Sequence, residues 1–246
     1  MKRKTNPLFF GYLIVVFLPI ALVITFFTAL FTIIFIMLVG DKKLSYYPAI
    51  LWSRWICALT FQKVTVKGTE NYDPNKSYIF IANHQSIFDI FLVYGWLNSR
   101  FKWIMKKELR KIPLVGKACE MAGHIFIDRS NAVQAKKSIE KAEASLRHGA
   151  SVVLFPEGRR TRTGELQPFK RGAFFLALNL NLEVVPITII GAYESWPSDT
   201  IFINPGRLEM IIHKPLSTKD LTHDNLNDFI EKSRTIIEAP LLQKKV

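Results

Sequence analysis

The segment FIANHQSIFDIF, residues 80–91, places two ionisable side chains inside an apolar run. Residues 77–82 have the composition of a buried strand, and the pattern from Ser86 onward predicts a helix. His84 lies between them in the turn, five positions before Asp89. A turn of this kind can fold the imidazole of His84 back onto the carboxylate of Asp89.

Further strands and helices follow the same alternation along the chain. β-branched and aromatic runs predict strands at residues 63–66, 78–82, 102–105, 124–127, 152–155, 184–190 and 208–213. Amphipathic spacing predicts a helix at 131–147 and a closing helix at 225–237. We therefore predict an α/β fold with a mixed, largely parallel sheet flanked by helices, in which ligands bind at the carboxyl ends of strands.

The N-terminus has the composition of a membrane segment. Residues 5–40 contain no charge, and as one helix they would extend about 54 Å against a hydrocarbon core of about 30 Å. Basic residues flank the run on both sides, and Pro19 would kink or break a helix within it. We predict a bent helical pair that dips into one leaflet, with a single tilted span plus an interfacial part as the alternative.

These patterns divide the chain into two parts. Residues 1–44 are predicted to form the membrane anchor, and residues 45–246 the α/β domain. The aromatic segment 45–60 is predicted to lie at the membrane interface. The basic flanks favour the cytoplasmic face of the cell membrane for the domain.

The charge narrows the class of partner. A formal net charge of +13 calls for a polyanion. Anionic lipid fits both the charge and the apolar N-terminus, whereas nucleic acid fits the charge alone, so we expect no nucleic-acid partner. Two cysteines provide no disulfide framework.

His84 and Asp89 allow two interpretations. In the structural one, Asp89 is the third residue of a capping box that begins at Ser86, and His84 is a hydrogen-bonded core residue. In the catalytic one, Asp89 orients His84, which accepts a proton from a hydroxyl. Ser86 is the nearest hydroxyl, but capping competes with a nucleophilic role. The substrate would then supply the hydroxyl, and transfer would be direct.

Arginines gather in the segment PEGRRTRTGELQPFKRG, residues 156–172. Their planar guanidinium groups match phosphate oxygens, so a phosphate site is one interpretation and a solvated loop with Glu157 in an ion pair is the other. Arg129 follows Asp128 and has the same two interpretations. The sequence has no Walker loop, no dinucleotide fingerprint and no metal-ligand spacing, so we expect neither metal nor cofactor.

Four blocks in order resemble the glycerolipid acyltransferase superfamily, most closely the 1-acyl-sn-glycerol-3-phosphate (lysophosphatidic acid) acyltransferases. They are NHQSIFD at 83–89, KKELRKIPLVGKACEMAGHIFIDR at 106–129, FPEGRRT at 155–161 and VVPITI at 184–189. The third block usually reads Phe-Pro-Glu-Gly-Thr-Arg-Ser, so the family arginine falls on Arg160, while Arg159 stands in place of the threonine.

This resemblance implies roles for particular residues. His84 would be the catalytic base and Asp89 its orienting carboxylate. Substrate binding would fall to Lys106, Arg129, Glu157, Gly158, Arg159 and Arg160.

The resemblance also implies the reaction. A fatty acyl group would pass from an acyl carrier protein or coenzyme A thioester, a co-substrate rather than a cofactor, to the 2-hydroxyl of 1-acyl-sn-glycerol-3-phosphate, giving phosphatidic acid. The alternatives are acylation of glycerol 3-phosphate or another lysophospholipid, and a catalytically inactive membrane protein that binds anionic lipids.

Overall fold

The computed structural model of the chain describes residues 6–40, 46–128 and 150–243, together with residues 133, 134, 137, 140, 143 and 146. Its helices and strands in chain order are α1 (Pro7–Tyr12), α2 (Leu18–Val39), α3 (Tyr47–Leu59), β1 (Gln62–Lys67), β2 (Ile79–Ala82), α4 (Phe88–Trp96), β3 (Phe101–Lys106), α5 (Val115–Met121), β4 (Ile125–Ile127), β5 (Ser151–Leu154), α6 (Gly172–Leu180), β6 (Val184–Ile190), α7 (Ala192–Ser195), β7 (Gly206–Ile212) and α8 (Leu226–Gln243). A π-helical stretch (Leu13–Phe17) joins α1 to α2, and 3₁₀ turns lie at Thr69–Asn71 and Lys107–Lys111.

The described strands form one sheet in the order β1-β7-β6-β2-β5-β3-β4. Neighbouring strands run parallel except β6 and β7, which are antiparallel. The predicted fold class, α/β with a mixed, largely parallel sheet flanked by helices, is confirmed. Because β2, β5 and β3 are parallel neighbours, the residues that follow them meet at one edge of the sheet.

The central strand β2 separates two halves of the core. All four of its residues are buried, and their side chains alternate between the two faces. Phe80 packs with α3 and α4 on one face, whereas Ile79 and Ile81 pack with α6 and α8 on the other. Burial on both faces explains why the strand has no alternating polar residues.

Most predicted elements are present with small shifts at their ends. The closing helix continues to Gln243, beyond the predicted end at residue 237. The helix after the turn begins at Phe88 rather than at Ser86, whose hydroxyl donates to the carbonyl oxygen of Trp196 at 2.7 Å. The predicted helix at 131–147 lies largely outside the described residues.

The described part of the anchor is one continuous helical run, and both the bent pair in one leaflet and the tilted span stay predictions. Pro7–Val39 is helical throughout, and it is long and apolar enough to cross a membrane. Pro19 does not break it because the preceding π-helical stretch changes the hydrogen-bond register: the Leu18 amide donates to the Leu13 carbonyl, five residues back. The proposed division at residues 44 and 45 stays a prediction.

The anchor helix packs along α3. The Tyr12 hydroxyl donates to the Leu59 carbonyl at 3.0 Å, and Trp52 Nε1 donates to Thr25 Oγ1 at 2.9 Å. Leu13 is buried in the same core as β2. The anchor is therefore part of the folded domain along this length.

One stripe of α3 is exposed and apolar. Tyr47, Leu51 and Trp55 recur every fourth residue and are about half exposed. This composition agrees with the interfacial role predicted for residues 45–60, which stays a prediction.

Candidate active site

The turn between β2 and α4 brings His84 and Asp89 together. His84 Nδ1 lies 2.8 Å from Asp89 Oδ2. β2 ends at Ala82 and α4 begins at Phe88, so the turn reverses direction within five residues. The contact that the five-residue spacing suggested is present.

Asp89 serves both of the interpretations drawn from the sequence. Its Oδ2 atom also accepts the backbone N–H groups of Gln85 at 2.7 Å and Ser86 at 2.9 Å. These bonds satisfy amides at the N-terminus of α4 and favour negative charge on a fully buried carboxylate. One oxygen atom thus holds the turn and the imidazole at the same time.

The hydrogen bonds assign the tautomer of His84. A carboxylate has no proton to donate, so Nδ1 carries the hydrogen and donates it to Asp89. Nε2 is left with a lone pair. The side chain retains 14% exposure, so Nε2 can accept a proton from a bound hydroxyl.

An aromatic stack fixes the plane of the imidazole. The His84 ring lies on Phe155 with 3.8 Å between centroids and 6° between planes. Phe155 stacks in turn on Trp103 at 5.4 Å. Sequence reasoning missed the role of Phe155, although the residue opens the block FPEGRRT.

Asn83 fixes the backbone just before the histidine. Its side chain donates to the Ile189 carbonyl at 2.8 Å and accepts the Ile189 N–H at 2.7 Å. This pair of bonds continues the contact between β2 and β6 for one more residue. His84 therefore begins the turn from a fixed point.

The arginine loop after β5 lies directly against this turn. Gly158 has a φ of +76°, which permits the reversal after Pro156, and Thr161 N–H donates to the His84 carbonyl at 2.9 Å. Arg159 and Arg160 are exposed. The loop thus presents two guanidinium groups to solvent beside the candidate base.

Glu157 is buried below the loop. Its Oε1 accepts the His84 N–H at 2.6 Å, and its Oε2 accepts the Gln167 N–H at 2.9 Å. Burial raises the pKa of Glu157 to about 7, although the two amide bonds act in the opposite direction. The solvated-loop interpretation requires an ion pair between Glu157 and an arginine. Among the described contacts, this carboxylate has no ion pair with Arg159 or Arg160.

The other predicted binding residues lie further along the same edge or outside the described part. Lys106 is the last residue of β3 and is exposed. Its neighbour Lys107 pairs with Asp128 at 2.5 Å. Arg129 falls outside the described residues.

Lys170 is a basic residue that the sequence analysis did not single out. A side chain added at Gly158 would have its Cβ 2.8 Å from Lys170 Nζ, so the ammonium lies over the arginine loop. Lys170 lies within the segment 156–172 quoted for its arginines, but its position in that segment gave no reason to select it.

Two other histidines have structural partners. His124 Nε2 lies 2.6 Å from the Tyr94 hydroxyl, and His213 Nε2 lies 2.8 Å from Thr188 Oγ1. Burial lowers the pKa of His124 to about 3, so this ring stays neutral. The described residues contain no group of three His, Cys, Asp or Glu side chains that would hold a metal.

A cavity of about 340 Å³ lies beside Gln85, the residue after His84. Its lining includes the carboxylates of Glu165, Glu194 and Glu238 and one cation, Arg207. An excess of acidic groups disfavours an anionic headgroup there. The arginine loop is the better place for phosphate.

Comparison with known proteins assigns the family. A family model described as Acyltransferase matches residues 63–190. The chain is 35% identical over 169 residues to the 1-acyl-sn-glycerol-3-phosphate acyltransferase of Cocos nucifera, covering 68% of this chain and 54% of that protein. It is 36% identical over 167 residues to 1-acyl-sn-glycerol-3-phosphate acyltransferase alpha of Mus musculus, covering 67% and 58%. The chain thus spans little more than half the length of these curated relatives.

A solved structure resembles almost the whole chain. The crystal structure of the 1-acyl-sn-glycerophosphate (LPA) acyltransferase PlsC from Thermotoga maritima superposes with a TM-score of 0.77 at 25% identity, covering 93% of this chain and 96% of that one. The region matched by the family model, residues 63–190, contains His84, Asp89 and the arginine loop. Since the family model matches more than half of the sequence, the chain belongs to the Acyltransferase family.

Proposed function

We propose that this protein transfers a fatty acyl group from an acyl carrier protein or coenzyme A thioester to the 2-hydroxyl of 1-acyl-sn-glycerol-3-phosphate. The products are phosphatidic acid and a free thiol. The observation that carries the proposal is the 2.8 Å contact between His84 Nδ1 and Asp89 Oδ2, which leaves Nε2 as a proton acceptor. The names of the relatives from Cocos nucifera and Mus musculus support the choice of acceptor.

The reaction is a direct acyl transfer. Nε2 of His84 removes the proton from the 2-hydroxyl as its oxygen attacks the thioester carbonyl carbon. The carbon–sulfur bond then breaks, and the imidazolium returns the proton to the departing thiolate. Asp89 stabilises the imidazolium between these two steps.

The environments of Ser86 and of the two cysteines support transfer without an acyl-enzyme intermediate. Ser86 is fully buried, and its hydroxyl donates to the Trp196 carbonyl. Burial raises the pKa of Cys57 to about 12 and that of Cys119 to about 11, so both remain thiols at neutral pH. The activated acyl group arrives with the thioester, so we propose that no cofactor is needed.

The acceptor phosphate is proposed to bind at the arginine loop. Arg159 and Arg160 lie on the segment whose backbone contacts His84, and Lys106 ends a strand at the same sheet edge. Arg129 is retained in this role as a prediction from the resemblance. A guanidinium group can donate two parallel hydrogen bonds to two phosphate oxygens. Binding the phosphate in this way would hold the attached glycerol at a fixed distance from His84.

The anchor helix supplies access to the acceptor, which is a lipid. We propose that the protein resides in the cell membrane with its α/β domain on the cytoplasmic face, where the soluble thioester is present. Its formal net charge of +13 favours anionic lipid and an acidic carrier protein.

The direct test is thiol release from purified protein supplied with lysophosphatidic acid and either thioester. His84→Ala should lower the rate by about 10²–10⁴ because it removes the general base. His223→Ala is the matched control, since His223 is exposed on the far side of the sheet beside Phe175.

Three outcomes would contradict the proposal. A wild-type rate in His84→Ala would exclude the base role. A strong preference for glycerol 3-phosphate over lysophosphatidic acid would assign a different acceptor. Lipid binding without thiol release under any donor would indicate a binding protein.

A further inference from the structure

Both backbone polar groups of His84 are held by the arginine loop. The His84 N–H donates to Glu157 Oε1 at 2.6 Å, and the His84 carbonyl accepts the Thr161 N–H at 2.9 Å. The ring of the same residue stacks on Phe155. Phe155, Glu157 and Thr161 of the segment 155–161 therefore all contact His84. Glu157 lies 73 residues from His84 in sequence.

Each oxygen of the Glu157 carboxylate accepts one backbone N–H. Its second oxygen accepts the Gln167 N–H, which closes the loop on its other side. The residue is 3% exposed. A carboxylate this buried, with each oxygen already bonded to a backbone N–H, is poorly accessible to a glycerol hydroxyl.

We propose that Glu157 is a positioning residue, which holds the backbone of His84 so that its imidazole meets Asp89 and which locks the arginine loop to the same point. This inference rests on the proposed function, because it takes His84 to be the base. It replaces the direct substrate contact that the family resemblance implied for Glu157. The position of a phosphate bound by Arg159 and Arg160 would then be fixed relative to the His84 imidazole through the Glu157 side chain.

The geometry explains why this position requires a carboxylate. Two N–H donors converge on it, and each of its oxygens accepts one. Glutamine offers one acceptor oxygen and an NH₂ group that would face the second donor. Alanine removes the partner of two partly buried amides.

Steady-state kinetics separate positioning from substrate binding. Glu157→Ala should lower kcat by about 10²-fold, because a displacement of the base by an ångström has an effect of that size. KM for lysophosphatidic acid should change much less than kcat, since Arg159 and Arg160 remain and the Thr161 N–H still ties their loop to the His84 carbonyl. Glu157→Gln should lose less activity than Glu157→Ala, because one of the two bonds survives.

The opposite kinetic pattern would overturn the inference. A raised KM with unchanged kcat in Glu157→Gln would show a direct substrate contact, and unchanged values of both would show no role. Glu231→Gln is the matched control, an exposed glutamate on α8. If Glu157→Ala does not fold, Glu157→Gln alone decides between these patterns.

A second measurement tests positioning without any substrate. The Nδ1 proton that His84 shares with Asp89 should give a low-field proton resonance in ¹⁵N-histidine-labelled protein, assigned by its loss in His84→Ala. We expect it to broaden or disappear in Glu157→Gln and to persist in Glu231→Gln.

An unchanged resonance in a folded Glu157→Gln protein would contradict the inference. Because this experiment contains no acyl donor or acceptor, it can succeed even if the proposed reaction is wrong. Conversely, thiol release by the wild type together with an unchanged resonance would leave the proposed function standing and remove the positioning role.

Discussion

The imidazole of His84 lies face to face on the ring of Phe155, with 3.8 Å between centroids and 6° between planes. The stack prevents the imidazole from rotating away from Asp89. A stack of this kind contributes about 0.5–1.5 kcal/mol.

Phe155→Ala should therefore lower kcat by up to about tenfold, which corresponds to about 1.4 kcal/mol. Phe155→Tyr should keep the stack and most of the rate. Thiol-release kinetics on both variants provide the measurement, and an equal loss in the two would exclude the stack as the cause.

Asp89→Asn should weaken the base while largely preserving the fold. An amide oxygen in the place of Oδ2 can still accept the N–H groups of Gln85 and Ser86 and the Nδ1 hydrogen of His84, but the negative charge that stabilises the imidazolium is lost. We expect a loss of about 10²–10⁴ in kcat. A folded Asp89→Asn protein with wild-type kcat would rule out a catalytic role for the negative charge of Asp89.

Ser86→Ala tests direct transfer. The substitution removes a buried hydroxyl that bonds the Trp196 carbonyl, so the free energy of unfolding should fall by about 1 kcal/mol. Turnover should persist, because the hydroxyl takes no part in the proposed chemistry. Loss of thiol release in a folded Ser86→Ala protein would instead indicate an acyl-enzyme on this serine.

Stability should depend on pH through Glu157. Burial raises the pKa of this carboxyl from 4.5 to about 7, so the folded chain binds the proton more tightly than the unfolded chain does. The contribution of this group to stability is therefore present below about pH 4.5 and declines as pH rises to about 7.

Glu157→Gln has no proton to lose at this position, so its stability should change less over that interval. The gap between the two proteins should shift in favour of Glu157→Gln by up to about 3 kcal/mol between pH 4.5 and 8. Urea unfolding in detergent at several pH values measures the gap. A constant gap would show that the carboxyl titrates alike in the folded and unfolded chains.

The exposed stripe on α3 should contribute to membrane binding. Trp55 is 50% exposed and continues the line of Tyr47 and Leu51 along α3. Trp55→Glu should lower sedimentation with vesicles that contain phosphatidic acid. Leu242→Glu is the matched control, an exposed apolar residue on α8 at 55% exposure. Equal losses in the two variants would count against an interfacial role for α3.

The turn that carries His84 and Asp89 could be predicted because its information is local. A buried strand, a five-residue spacing and a capping-box pattern all lie within residues 77–89. The sheet class followed from the same alternation repeated along the chain. These signals depend on neighbouring residues, which a single sequence displays.

The contacts of the arginine loop could not be predicted because they join distant segments. Glu157 lies 73 residues from His84, and no periodicity reports which amide its carboxylate meets. The continuous anchor helix was missed for a different reason. Pro19 was expected to kink or break it, but the helix continues through Pro19, with the Leu18 N–H bonded to the Leu13 carbonyl five residues back.

The hydrogen bonds of Tyr12 and Trp52 have a consequence for how the protein meets its lipid. On the anchor helix these bonds are made by Tyr12 and Thr25, which lie about 13 residues or roughly 20 Å apart. A helix bonded to the domain at two such points moves with the domain as one body. His84 then keeps a constant depth relative to that helix. We expect the lipid acceptor to reach the imidazole by lateral diffusion in the membrane, because the domain does not move relative to the anchor helix.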